Sequence, residues 1–135
     1  MPAPYVNNTL TASISTTDII TNDVVIDRSV GNPSWPSMVG LYTQVFVLSA
    51  GDNVLGTPGG NVVRQIYIKN TDPSNYFAVK WEVTGEVTGP VFIGRLFPGD
   101  VTIQWQNPNN ANSGMINITV TPIVAGTLCE YFLGF

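Results

Sequence analysis

The residues that could carry out chemistry in this 135-residue chain are few, because it has no histidine and only one cysteine, Cys129. A zinc site of histidines and cysteines cannot form in one chain, and neither can a Ser–His–Asp or Cys–His nucleophile. Cys129 follows an apolar run and has no nearby positive charge in the sequence, so we expect a buried, inert thiol. Acid–base chemistry would therefore rest on nine carboxylates.

Paired carboxylates are the first option, since a glycosidase needs two of them at a set separation. Asp23 and Asp27 lie four residues apart on a presumed strand, which places them about 13 Å apart on one face. That distance exceeds either catalytic arrangement. Glu82 and Glu86 flank a predicted hairpin and could approach each other. No aromatic-lined cleft can be assigned to either pair, and we expect no enzymatic activity.

Oxygen ligands for calcium are the second option. Carboxylates and amides of this kind occur in predicted loops: Asp52, Asn53, Asp72, Asn75 and Asp100. No segment has the EF-hand pattern, and Asp and Asn are ordinary turn residues because their side chains cap nearby backbone groups. We therefore expect no metal and no cofactor.

Aromatic side chains are the third option, because they stack on sugars or anchor a protein partner. Candidates lie in loops or on strand faces opposite the apolar set: Tyr5, Trp35, Tyr42, Tyr67 and Tyr76. The first eight residues, MPAPYVNN, are predicted to form an extended arm that becomes ordered against a partner chain. Partner contacts are predicted at five positions: Pro2, Pro4, Tyr5, Trp35 and Tyr42.

The elements that position these residues are predicted to be β-strands. Val, Ile and Thr supply 42 of the 135 residues, and such an excess of β-branched side chains argues against helical domains. Three runs alternate between apolar and polar residues, at 76–83, 101–106 and 115–124. We predict eight or nine strands in one all-β antiparallel β-sandwich, jelly-roll-like, spanning residues 9–135.

Turn residues and alternation also predict the loops and the core. A proline-broken loop is expected at 31–37, and a long glycine-rich loop at Gly51–Asn61, whose role the sequence leaves open. One face of the alternating runs is predicted to be buried. Its residues are Phe77, Val79, Trp81, Ile103, Trp105, Ile116, Ile118 and Val120.

Charge and hydropathy exclude two classes of partner. Five basic residues, scattered in a chain of net charge −4, cannot form the basic stripe that nucleic-acid binding needs. Every apolar run is broken well before 18 residues, so we expect no membrane span, and the first ten residues lack the pattern of a signal peptide. The mean hydropathy of +0.18 suggests apolar area hidden in a subunit interface, although a large core would also raise it.

After Val62, strand ends and turns follow one another in a recognisable order. They lie in three segments: IYIKNTDPSNYFAVKW, LFPGDVTIQW and MINITVTPIVAGTLCEYFLGF. A strand ends in I-x-N at Ile68–Asn70, a PGD turn at Pro98–Asp100 leads into the next strand, and the last strand carries EY at Glu130–Phe132. In this order the chain resembles small all-β virion proteins of tailed bacteriophages. The resemblance covers residues 62–135.

The resemblance implies a jelly-roll-like sandwich on a phage particle, often a homotrimer, with no catalytic residues to carry over. We therefore predict a non-enzymatic virion protein, made in the host cytoplasm, that decorates and stabilises a capsid as an oligomer. Its partners would be the major capsid protein or another virion protein. The alternative is a carbohydrate- or receptor-binding β-sandwich module of a phage fibre or tail.

Overall fold

The structure is a computed structural model. The residues that it describes are 5–17, 20–55, 63–83, 91–105 and 114–134. Side chains are described at 20–23, 40–55, 63–82, 94–104 and 114–134. All regular structure in these ranges is β-strand, and they contain no helix able to cross a membrane.

Nine strands follow one another in the described ranges. They are β1 (Tyr5–Thr17), β2 (Val24–Val47), β3 (Asn53–Val54), β4 (Gln65–Asn70), β5 (Phe77–Val83), β6 (Val91–Leu96), β7 (Val101–Trp105), β8 (Met115–Pro122) and β9 (Leu128–Gly134). They form two sheets with the orders β1-β2-β9-β4-β7 and β3-β8-β5-β6. The predicted all-β antiparallel sandwich of eight or nine strands is confirmed.

The chain divides into two compact units, Met1–Tyr5 with Val39–Phe135 and, separately, Val6–Met38. The smaller unit contains most of β1 and the first part of β2, which are neighbours in the sheet order. The larger unit contains the end of β2 and all later strands. The side chains of the smaller unit that the structure describes, 20–23, are exposed.

Strand pairs in the larger unit are nested along the chain. β5 pairs with β6, β4 with β7, β3 with β8, and β2 with β9, all antiparallel. Two further antiparallel pairs, β4 with β9 and β5 with β8, complete the sheets. Each of the two sheets therefore contains strands from the beginning, the middle and the end of the larger unit.

The core lies between the two sheets. Its buried apolar residues are Leu48, Leu55, Val63, Ile66, Ile68, Phe77, Val79, Trp81, Met115, Ile118, Val120, Cys129, Tyr131 and Leu133. Five of the predicted core residues belong to this set, so those predictions are confirmed. Cys129 is fully buried, which confirms the predicted buried thiol, and this burial raises its pKa to about 12, so the thiol is protonated at neutral pH.

The prediction for β7 is wrong. Ile103 is 39% exposed. It pairs with Tyr67 on β4, and the β4 residues on either side of Tyr67 face the core. Ile103 and Tyr67 therefore lie on the outward side of the sheet. Alternation identifies residues that share a face but not which face is buried. Ile116 is half-buried and precedes Asn117, whose φ of 51° interrupts the regular strand. The side chain of Trp105 lies outside the described residues.

Two predicted loops are also changed. β2 continues through residues 31–37, so the expected proline-broken loop there is wrong; proline fixes φ and removes one donor, and a strand tolerates it where that donor is not needed. The predicted loop Gly51–Asn61 contains β3, and its residues 56–61 lie outside the described residues. β2 also has an irregularity between Thr43 and Phe46.

Candidate functional site

The outward side of the larger sheet is built by strand alternation. On β9, Cys129, Tyr131 and Leu133 are buried in the core, so the residues between them lie on the opposite side. Residues paired with these across neighbouring strands lie on the same side of the sheet, so the register of β2, β4 and β7 extends this side into one surface. We call it the aromatic face: Tyr42, Val47, Tyr67, Lys69, Val101, Ile103, Leu128, Glu130 and Phe132.

A row of large side chains crosses four neighbouring strands of this face. Tyr42 on β2 is directly opposite Phe132 on β9, which is opposite Tyr67 on β4, which is opposite Ile103 on β7. Strands about 4.8 Å apart make this row about 14 Å long. Tyr42 is 57% exposed, and Phe132 and Tyr67 are half-buried. The row therefore presents a mainly apolar strip to solvent.

A second row beside it carries the only charges of the aromatic face. Lys69 on β4 is directly opposite Glu130 on β9 and Val101 on β7. Val47, 60% exposed, pairs with the half-buried Leu128 next to this row. The face therefore combines one ammonium group and one carboxylate with otherwise uncharged side chains.

The Glu130 carboxylate joins the two tyrosines of the first row. The Tyr67 hydroxyl donates to Oε1 at 2.6 Å, and the Tyr42 hydroxyl donates to Oε2 at 2.7 Å. These bonds lower the pKa of Glu130, the Tyr67 bond most, and raise the pKa of Tyr67 to about 12. The pKa of Tyr42 is raised for the same reason. At neutral pH the carboxylate is ionised and both phenols are protonated, so the network is intact.

This arrangement suits recognition better than reaction. Each carboxylate oxygen already accepts a short tyrosine hydrogen bond, and a depressed pKa is the reverse of what a general acid needs at neutral pH. The tyrosine hydroxyls are likewise engaged. What the face offers to a partner is ring and aliphatic surface, held in place by a charge-assisted network.

The predicted contact residues are distributed unevenly. Tyr42 lies on the aromatic face. Tyr5 lies on β1 and Trp35 on β2, with side chains outside the described residues, and Pro2 and Pro4 lie outside them altogether. The sequence predicts Tyr67 only as a sugar-stacking candidate, and it gives Glu130–Phe132 only as a strand-end motif of the resemblance, not as contact residues. The available signal was the alternation of the last strand, whose odd-numbered residues from Cys129 to Leu133 are the apolar core set.

The loop carboxylates considered for calcium serve the fold instead. Asp72 Oδ1 accepts from the backbone N–H of Ser74 and Asn75 at 2.9 and 2.7 Å, and Oδ2 accepts from Leu128 N–H at 3.2 Å. These bonds, led by the Ser74 N–H, lower the pKa of Asp72. Among the described residues, no three His, Cys, Asp or Glu side chains are grouped to hold a metal ion.

The strand ends that carry the family resemblance meet at one corner of the larger unit. Asn70 is fully buried, and its side-chain amide donates to the carbonyls of Asn75 and Leu96 at 2.8 and 2.7 Å. Its backbone bonds Gly99 and Asp100 of the PGD turn. The I-x-N and PGD segments are therefore one structural unit that ties turns together.

Next to this corner lies a smaller exposed apolar group, which we call the turn patch: Tyr76, Arg95, Phe97, Ile123 and Val124. The Tyr76 and Phe97 rings lie 5.2 Å apart between centroids, and the Arg95 guanidinium lies 5.4 Å from the Tyr76 ring centre. The Ile123 N–H donates to the Tyr76 carbonyl at 3.4 Å. Exposed Phe97, Ile123 and Val124 make this end of the unit apolar.

The outward side of the other sheet, which we call the polar face, has a different character. Lys80 forms an ion pair with Asp52 at 3.3 Å, and Thr121 Oγ1 donates to the other Asp52 oxygen at 2.6 Å. The Asn117 amide donates to Glu82 at 2.7 Å. These groups are at least partly exposed, which is typical of a solvated sheet surface.

No protein-family model matches the sequence, and comparisons with curated proteins and with solved structures give no match.

Proposed function

We propose that this chain is a non-enzymatic virion structural protein, a capsid decoration protein that works as an oligomer by binding other protein subunits. The observation that carries the proposal is the aromatic face. It exposes apolar side chains across four strands, while its carboxylate and phenols bond one another. Exposed apolar surface rimmed by polar groups is typical of protein contact sites.

The strand order supports a jelly-roll architecture for the proposed virion protein. Setting β1 aside, the two sheets read 2-9-4-7 and 3-8-5-6, and their nested pairs are those of a rolled antiparallel ribbon. Jelly rolls are double sheets of eight strands and occur in viral capsid proteins. Fold alone does not specify function, so the exposed aromatic face remains the main support for the proposal.

The contacts around Asn70 support the resemblance, because they give two of its motifs a common structural role. The I-x-N strand end and the PGD turn bond each other directly, which gives a reason for their occurrence together in one chain. A decoration protein also needs two contacts, one between copies and one with the lattice. The aromatic face and the turn patch are two apolar surfaces available for these contacts.

The second candidate is a carbohydrate- or receptor-binding module, favoured by the row Tyr42–Phe132–Tyr67. Aromatic rings at strand spacing are able to stack on sugars. Sugar recognition also needs free polar groups, and in this row the phenols and Glu130 already satisfy each other. We therefore place this candidate second.

Density-gradient sedimentation of the source lysate, probed for this chain, tests the proposal. We expect the chain to move with intact particles at a copy number near that of the shell subunit. A few copies per particle would instead indicate a fibre or tail component. A chain that stays entirely at the top of the gradient would overturn the proposal.

A glycan panel tests the second candidate separately. The proposal predicts no glycan binding by the full chain. Binding that is lost in Tyr42→Ala and Tyr67→Ala, with the far-ultraviolet circular dichroism spectrum unchanged, would establish the binding module in its place.

A further inference from the structure

We propose that the aromatic face is covered by a second copy of this chain, with the two faces packed together about a two-fold axis. The inference rests on the proposed function, because it names the copy-to-copy contact of the oligomer. Three properties of the face point to a second copy as its occupant: paired polar groups, balanced charge and sufficient area.

Paired polar groups allow the aromatic face to be buried. A buried polar group without a partner destabilises an interface by the cost of its desolvation. Here Glu130 has a tyrosine donor on each carboxylate oxygen, and Tyr42 and Tyr67 have the carboxylate as acceptor. A second copy can therefore cover the rings without leaving these three groups unsatisfied.

Balanced charge favours a copy of the same chain. The whole chain carries a net charge of −4, so two copies repel each other as whole molecules. The aromatic face is different, because Lys69 and Glu130 balance each other. In a two-fold contact every interaction occurs twice, so a contact between Lys69 of one copy and Glu130 of the other is formed on both sides of the axis.

The area of the face is sufficient for a dimer. Four strands spaced by about 4.8 Å and about six residues long, at about 3.4 Å per residue, give the face a flat area of about 400 Å². Because side chains protrude from this plane and both copies contribute, the total area buried in the dimer is roughly 1,000 Å². This value lies at the small end of specific interfaces. A dimer that dissociates on dilution is therefore expected, rather than a permanent one.

Sedimentation equilibrium of the isolated full-length chain, over a wide range of concentration, tests the inference. We expect a mass that rises toward twice the 14.5 kDa of one copy. Ile103→Lys places an ammonium group in the apolar row and should weaken dimerisation about tenfold or more. Val47→Lys, at the other edge of the face, should weaken it too, and Ile103→Leu should not.

Val54→Lys is the matched control, since Val54 is 63% exposed on a strand of the other sheet. It adds the same charge and should leave dimerisation unchanged. A wild-type chain that stays monomeric, a trimeric mass, or equal losses from Val54→Lys and Ile103→Lys would overturn the inference. Circular dichroism confirms that each variant is folded.

The outcomes separate this inference from the proposed function. A dimer in solution that never sediments with particles would overturn the virion role and leave the two-fold contact established. A particle-bound chain that is monomeric when purified would do the reverse.

Discussion

The two sheets share one core but present different surfaces to solvent. On the polar face, Lys80 pairs with Asp52 and Asn117 donates to Glu82, so charged groups are spread along the strands and bonded to neighbours. On the aromatic face, Glu130 and Lys69 are surrounded by rings and aliphatic side chains. Both faces arise from the same alternation of residues, so backbone geometry does not explain the difference.

The difference indicates what each face contacts. Exposed charges gain little from one another because water screens them, so the polar face is suited to remain in solvent. On the aromatic face, each oxygen of the Glu130 carboxylate accepts a hydrogen bond from a tyrosine hydroxyl, so the carboxylate links two rings. The outward row of large apolar residues on several adjacent strands therefore supports the proposal that this face contacts another protein.

The largest expected effect comes from the core that lies between the two faces. Phe77 is fully buried, and Phe77→Ala should lower the free energy of unfolding by about 3–5 kcal/mol, because it removes apolar burial and leaves a cavity. Urea denaturation of the monomeric chain measures this. Ile103→Ala should cost far less in the same conditions. Equal losses of unfolding free energy from Phe77→Ala and Ile103→Ala would mean that the aromatic face belongs to the core of a single subunit. The contrast between the core and that face would then not hold.

The next effect comes from the corner that links the two sheets. Asn70 on β4 bonds the carbonyl of Leu96 on β6, so Asn70→Ala leaves buried backbone groups without a partner and should cost about 1–3 kcal/mol. Gln104→Ala, at an exposed position of β7, is the control and should have little effect. A loss from Asn70→Ala no larger than that of the control would show that the corner does not hold the sheets together.

Much of the fold was predictable from the sequence, because β-branched composition and two-residue alternation report strands directly. The burial of Phe77, Val79 and Trp81 followed from this pattern. The orientation of β7 does not follow from this pattern, because alternation leaves open which side of a strand faces the core. The pairing of Ile103 with Tyr67 determines that orientation. The prolines at 31–37 predict a break, but β2 continues through them, because a strand tolerates proline where no backbone donor is needed.

Less of the candidate site was predictable. Tyr42 was recognised as an exposed aromatic residue, but its partner Glu130 is 88 residues away in the chain. Nothing local in the sequence reports that β2, β9 and β4 are neighbours. The aromatic face is assembled by the nested strand pairing, so its residues become a set only when the topology is known.

A smaller effect should distinguish the two faces in alkaline solution. The pKa of Tyr67 is raised from 10.0 to about 12 by its bond to Glu130. Between these values the unfolded chain loses its proton while the folded chain keeps it, so stability should fall as pH rises from 10 to 12. Stability measured against pH should show this fall in the wild type and a weaker one in Tyr67→Phe.

Glu130→Gln supplies the matching test of the cause. Without the carboxylate, ultraviolet titration should show the pKa values of both Tyr67 and Tyr42 returning toward the ordinary range, because the charge-assisted bonds and the nearby negative charge are gone. An unchanged titration curve would mean that the tyrosines and Glu130 are not coupled in solution. The face would then lack the paired polar groups that suit it for burial.

The smallest effect is expected on the polar face, from Lys80→Met. This change removes the ion pair with Asp52, whose two side chains are 35% and 56% exposed. Solvent screening and side-chain freedom leave such pairs with little net stabilisation, so the melting temperature should not change measurably. The pKa of Asp52, lowered mainly by Thr121 and then by Lys80, should rise only in part. A clear loss of stability would instead show that charges on this face support the fold, and that the two outer faces differ less than their composition indicates.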